Sequence, residues 1–377
     1  MGTSTITNVT SLPIRPDLVG LHPYGAPQID VPNPLNVNEN PYPPPPSLTE
    51  AITQAVAATL PTLNRYPDRD FEDLRGDLAR FLTTESGVEG LGVHNLWAAN
   101  GSNEVMLHLF QAFGGPGRVA LGFGPTYSMY PEYARDTFTA WVAAQRETDF
   151  TIDPSRAAEA MRDHSPALVL LTSPNNPTGT ALPLEVIDAI ATEAKTTGPQ
   201  GSASVVIVDE AYAEFRRRGT PSALELLDDH PHLVISRTMS KAFAFAGVRL
   251  GYLAASAQVV DLMRVVRLPY HLSTVTQAVA RAALAHAPQL LSQVDSLRQA
   301  RDELAEWLDA QGYTVTPSDA NFIFFGEFDD RHAVWQGLLD RGVLIRETGP
   351  DRFLRVSVGT PEQNDAFKQA LTEVSGR

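Results

Sequence analysis

Apolar and polar residues follow two registers along the 377-residue chain. In "SLTEAITQAVAATL", "DFEDLRGDLARFL", "VMLHLFQAF" and "LPLEVIDAIATEAK" the apolar positions recur at helical spacing. Ser47, followed three residues later by Glu50, predicts a capping box at the start of the first. Between such stretches lie short continuous apolar runs: 118–122, 167–173, 204–211, 233–238 and 250–255. A run without alternation is expected of a strand covered on both faces. Helices and such strands in turn predict an α/β fold with a mostly parallel central sheet.

The pattern changes at both ends. Residues 1–46 are rich in Pro and Asn and end in "NPYPPPP", so they read as an extended arm that must lie on something else. Residues 47–272 form the large domain. After "RLPYHLS" a long helical region runs from about Thr274 to Gln311. Short apolar runs and two further helices follow, which predict a smaller α+β domain over 273–377.

Composition narrows the function classes. With no cysteine, disulfides, thiolate nucleophiles and Cys-bound metals are excluded. "DHPH" (229–232) lacks metal-ligand spacing, so no metal is expected. A net charge of -15 argues against a nucleic-acid partner. No apolar run approaches membrane-spanning length and the N-terminal segment has no apolar signal region. A cytoplasmic location, free of membranes, is the expectation.

One segment raises a chemical question. "RTMSKAFAFAGVRLG" (Arg237–Gly251) sets Lys241 among small apolar residues, with Arg249 eight positions on. Desolvation disfavours an ammonium, and a neutral lysine amine suits a Schiff base with a carbonyl. Taken alone the pattern also fits a surface lysine. Thr238, Ser240 and Arg249 add two hydroxyls and a guanidinium fork suited to a phosphate. Pyridoxal phosphate carries both an aldehyde and a phosphate.

Other motifs meet the same demand. "VIVDEAY" places Asp209 at a strand's carboxyl end, where open α/β sheets bind ligands; a carboxylate there could hold a pyridine nitrogen protonated, cap a helix or bind a metal. "SPNNPTG" (173–179) makes a rigid loop whose asparagine can donate to a ring oxygen. "NGSNE" (100–104) opens a helix, either as an anion site or with Ser102 as an ordinary N-cap. "PTYSMY" (125–130) offers aromatic faces for stacking.

These motifs, with "YGAPQ", "LNVNENPYPP", "LNRYPDRD", "WAANGSNE", "FGGPGR", "VRLPYHLS" and "LRVSVGT", occur in an order that resembles fold type I pyridoxal-phosphate-dependent aminotransferases. The set is most similar to the histidinol-phosphate aminotransferase family, especially its actinobacterial members. One departure is Gly247-Val248 before Arg249, where Gly-Gly or Gly-Leu is expected.

The resemblance implies a homodimeric transferase of histidine biosynthesis. Histidinol phosphate gives its amino group to 2-oxoglutarate, leaving imidazole-acetol phosphate and glutamate. It implies that Lys241 carries the cofactor, Asp209 pairs with the ring nitrogen, and Asn176 and Tyr212 reach the ring's 3′-oxygen. Tyr127 stacks on the ring; Ser102, Asn103, Thr238, Ser240 and Arg249 hold the phosphate. Tyr66 reaches the neighbouring subunit's cofactor. Tyr24, Asn38, Arg346 and Arg355 contact substrate. An aromatic (phenylalanine) aminotransferase of the same fold is the alternative. A phosphothreonine decarboxylase and an inactive regulator are more distant rivals.

Overall fold

The computed structural model describes residues 12–376. Expectations for residues 1–11, the first part of the arm, lie outside the described residues.

The arm has little regular structure of its own and is tied down at several points. Arg15 sits over the Phe138 ring, 4.0 Å from its centroid, and donates to the Arg135 carbonyl. Further on, β1 (Asn33–Pro34) pairs in parallel with the segment Val343–Leu344. The arm then leads into helix α1 (Pro46–Thr59). Ser47 does not cap this helix, as its motif predicted. Pro46 already occupies the first turn with its φ fixed, and the Ser47 hydroxyl donates instead to Gln289.

Helix α2 (Glu72–Ser86) precedes the central sheet. Its strands are β2 (Leu96–Ala99), β3 (Val119–Gly124), β4 (Ala140–Gln145), β5 (Leu168–Thr172), β6 (Val205–Asp209), β7 (Leu233–Thr238) and β8 (Gly251–Ala255). Their order is β2-β8-β7-β6-β5-β3-β4. Only β8 runs against its neighbours, so the sheet is mostly parallel as expected. Strands β5 to β8 are buried throughout, which is why they read as unbroken apolar runs. The pattern missed β2 and β4. Strand β2 is four residues long, and β4 lies at the sheet edge and is partly exposed.

Helices α3 (Ser102–Phe113), α4 (Tyr130–Asp136), α5 (Pro154–His164), α6 (Leu184–Glu193) and α7 (Ala257–Val266) connect these strands or follow the last. The long helical region expected from about Thr274 to Gln311 is made of two helices, α8 (Thr274–Ala285) and α9 (Ala287–Ala310). Pro288, in the first turn of α9, cannot continue a helix begun before it.

The remaining strands are β9 (Thr314–Val315), β10 (Phe322–Gly326), β11 (Val343–Leu344), β12 (Arg346–Glu347) and β13 (Phe353–Ser357), with helices α10 (Arg331–Leu339) and α11 (Pro361–Ser375). Strands β12-β13-β10-β9 form a second sheet, antiparallel throughout. Two apolar cores result. The first continues along α8 and α9 as far as Leu297; the second takes in Leu304, Leu308 and the small sheet, and also Leu35 of the arm. Helix α9 thus contributes to both cores, and Ala320, Phe322 and Val358 beyond it return to the first.

Candidate active site

The carboxyl ends of β6 and β7, the start of α3, arm residues 36–39 and the β12–β13 edge enclose a cavity of about 310 Å³. Its wall brings together residues far apart in sequence. Every candidate named above lines it except Tyr66.

At one end the cavity offers a seat for an anion. Helix α3 starts at Ser102 with no side-chain cap; Gly101 holds the cap position, so the reading of Ser102 as an ordinary N-cap is not observed. The exposed N–H groups of a helix start attract negative charge. Gly101 has φ 87°, and a Cβ there would stand 2.5 Å from the Arg249 guanidinium. Only glycine allows that approach. Arg249 Nη1 donates to the Ala246 carbonyl at 3.0 Å and reaches Ser240 Oγ at 3.4 Å. Thr238 Oγ1 in turn lies 3.1 Å from both Ser240 N and Ser240 Oγ.

The opposite charge stands at the end of β6. Asp209 is buried, accepts from Tyr130 Oη at 2.8 Å and from the Ala211 N–H at 3.2 Å. Burial pushes its carboxyl up to about 6, opposed by those two hydrogen bonds. Thr172 closes the chain from beneath, with Oγ1 3.0 Å from Tyr130 Oη and 3.0 Å from Thr126 Oγ1.

Lys241, half-buried, donates to the Val37 carbonyl at 3.0 Å. Burial, followed by the Arg355 guanidinium, brings its amine down to about 8. Tyr212 receives a hydrogen bond from Asn38 Nδ2 at 3.0 Å. Asn38 is oriented by Ser357, whose hydroxyl donates to Asn38 Oδ1, and is held by Asn321 on its carbonyl.

Arg355 reaches from β13 into the same space. Its Nη1 donates to Asn176 Oδ1 at 2.5 Å and its Nη2 to the Asn36 carbonyl at 2.7 Å, while buried Nε has no partner among the described residues. Burial lowers this guanidinium to about 10. Arg346 stands opposite Arg355 in the β12–β13 register. Tyr127 meets Tyr130 edge-on, and Tyr24 Oη lies 2.9 Å from Ser128 Oγ. Tyr66 lies elsewhere, 81% exposed and stacked on Tyr270.

Reading the sequence missed Tyr130, Thr172, Asn36 and Val37. Tyr130 ends the quoted "PTYSMY" motif, and its role becomes visible only once β6 is beside it. Asn36 and Val37 act through backbone carbonyls, which leave no signature in residue type.

The chain matches the model of the aminotransferase class I and II family over residues 33–371. It is 57% identical to the histidinol-phosphate aminotransferase of Thermobifida fusca, covering 98% of this chain and 97% of that protein. It is 58% identical to the enzyme of the same name from Frankia casuarinae, over 96% and 89%. The fold is similar to that of the Sinorhizobium meliloti histidinol-phosphate aminotransferase, solved in complex with pyridoxal-5'-phosphate; the TM-score is 0.85 at 24% identity, covering 97% of this chain and 99% of that one. The chain belongs to the class I and II aminotransferases and, among them, to the histidinol-phosphate aminotransferase family.

Proposed function

We propose that this protein is a pyridoxal-phosphate-dependent aminotransferase that moves the amino group of histidinol phosphate to 2-oxoglutarate, giving imidazole-acetol phosphate and glutamate. The observation that carries the reading is one cavity holding an amine, a buried carboxylate and an anion seat, in a chain 57% identical to an enzyme of that name. The residues fit the cofactor. Asp209 is a buried carboxylate with no cationic partner among the described residues, and a protonated ring nitrogen would supply one. The glycine-lined start of α3 with Arg249 would take the phosphate.

When bound, pyridoxal phosphate supplies an aldehyde that receives the amino group and a ring that draws off the electron pair left at the substrate's α-carbon. The chain does the rest. Lys241 Nζ, with its ammonium disfavoured, takes the proton from the substrate's Cα as a general base. Asp209 holds a proton at the ring nitrogen. Asn176 and Tyr212 would hold the ring's 3′-oxygen, and Tyr127 would lie against the ring. Ser102, Asn103, Thr238, Ser240 and Arg249 keep the phosphate seated so that the aldehyde stays within reach of Lys241. Tyr24 and Asn38 line the substrate side. Arg355 and Arg346 accept either anion, the phosphate of one substrate or a carboxylate of the other, since a guanidinium fork suits both.

The same reading includes a homodimer in which Tyr66 completes the partner's site. Leu60, Leu63, Tyr66, Val265 and Leu268 are all at least half exposed, an apolar surface that supports it. Refolding Lys241→Ala with Tyr66→Ala subunits should then restore activity, because one hybrid site holds both residues. No recovery at any mixing ratio contradicts shared sites.

The substrate is tested by glutamate formation from 2-oxoglutarate, with histidinol phosphate and phenylalanine as donors side by side. Histidinol phosphate should be preferred in kcat/KM by about 100-fold or more. Equal or better use of phenylalanine would overturn the substrate assignment.

A further inference from the structure

Behind the cavity wall lies a second cluster that the proposed chemistry does not use. Arg237 precedes Thr238 on β7, and Glu210 follows Asp209 at the end of β6. Thr238 and Asp209 line the cavity; Arg237 and Glu210 do not. Side chains of consecutive strand residues point to opposite faces, so each pair straddles the sheet.

On the far face the two strand ends are joined. Arg237 Nε donates to Glu210 Oε2 at 2.8 Å, and Nη2 lies 2.7 Å from the same oxygen. The other Glu210 oxygen accepts from the Ala223 N–H, and the Ser222 hydroxyl lies 2.9 and 3.1 Å from the two carboxylate oxygens. The backbone repeats the tie, with Glu210 N–H donating to the Ser236 carbonyl at 2.8 Å. Glu85 of α2 and Glu214 take the second arm of the guanidinium at 3.1 and 3.2 Å. Arg216 bridges Glu85 and Glu210 at 3.4 and 3.5 Å. Arg237, Glu210 and Glu214 are each at most 2% exposed.

The consequence follows from what the neighbouring residues do. Asp209 is the partner for the cofactor's ring and Thr238 begins the segment that carries Ser240 and Lys241. A slip of β6 against β7 would separate ring partner from phosphate seat. We infer that the Arg237–Glu210 pair is a positioning clamp that fixes the spacing between Asp209 and the Thr238–Lys241 segment, and so sets cofactor affinity and the protonation of the bound ring. This inference rests on the cofactor reading above.

The test uses the full-length holoprotein, with cofactor dissociation followed by absorbance and its absorbance recorded against pH. Glu210→Gln keeps the size and loses the charge; Arg237→Lys keeps the charge and loses the fork. Both should raise the cofactor dissociation constant at least about tenfold and move the pH at which its absorbance changes. Glu85→Gln, in the same network but on a helix outside both strands, should lower the melting temperature and leave both cofactor readouts at wild type. Should Arg237→Lys fail to fold, Glu210→Gln answers alone. The clamp is overturned if Glu210→Gln binds cofactor with wild-type affinity and pH profile, or if Glu85→Gln shifts both equally. A wild-type chain that binds no pyridoxal phosphate would instead overturn the cofactor reading itself.

Discussion

Two sets of charges lie on either side of the ends of β6 and β7, and they are paired differently. On the far face of the sheet, Arg237 meets Glu210, Glu85 and Glu214 at 2.7 to 3.2 Å. In the cavity, Asp209, Lys241 and Arg355 have as partners a tyrosine hydroxyl, peptide N–H and carbonyl groups and an amide. The ionisations follow. Glu210 is held below the usual carboxylate range despite burial, because Arg237 and Arg216 face it, whereas burial pushes Glu214 of the same set up to about 7. Asp209 rises to about 6, while Lys241 and Arg355 fall to about 8 and about 10.

A buried charge without a counter-charge is costly, and a fold retains one only where something else repays it. The far-face set joins the ends of β6 and β7 through paired charges. The cavity set is left short of charge partners that an anionic, aldehyde-bearing ligand with a basic ring nitrogen would bring. Proximity to a site is thus a poor guide to role; pairing separates the two.

The contrast can be broken most severely at Lys241. Lys241→Ala should lower amino transfer by about 10⁴-fold in kcat, measured as glutamate formed, while the melting temperature of the cofactor-free protein stays level or rises. Loss of activity through unfolding would show that this lysine belongs with the structural set.

Next comes Arg355, buried and bonded to Asn176 and Asn36. Arg355→Ala should cost about 2–5 kcal/mol of transition-state stabilisation in both half-reactions. Cofactor absorbance should persist, and Arg355→Lys should recover only part of the loss. Near-normal rates with both glutamate and histidinol phosphate would defeat its role.

Asp209 sharpens the comparison through pH. In the cofactor-free protein its carboxyl holds a proton up to about pH 6, against 3.8 when unfolded. Between those values the folded state binds more protons, so stability falls as pH rises through the window, by about 3 kcal/mol in all. Asp209→Asn should remove that fall. Urea unfolding of the cofactor-free variant should give up to about 3 kcal/mol more stability than wild type at pH 8, shrinking below pH 6. Equal stability at pH 8 would mean that Asp209 is satisfied without a ligand.

Much of this was legible in the chain. Buried strands β5 to β8 announced themselves as apolar runs, and the residues at their ends carried the chemical motifs. What the sequence could not carry was anything defined across strands. Tyr130 matters because β6 brings Asp209 to it. Arg237 and Glu210 read as ordinary charged residues until pairing sets them together. Edge strand β4, rich in alanine and partly exposed, escaped although residues 140–144 are all apolar, and Ser47 misled because Pro46 had already set the helix start.

The most direct measurement follows from lysine content. The chain has three lysines, Lys195, Lys241 and Lys368. Borohydride reduction of the purified, cofactor-loaded protein, followed by peptide mapping, should place the pyridoxyl group on Lys241 alone. A label on Lys195 or Lys368, or none on Lys241, would contradict the account.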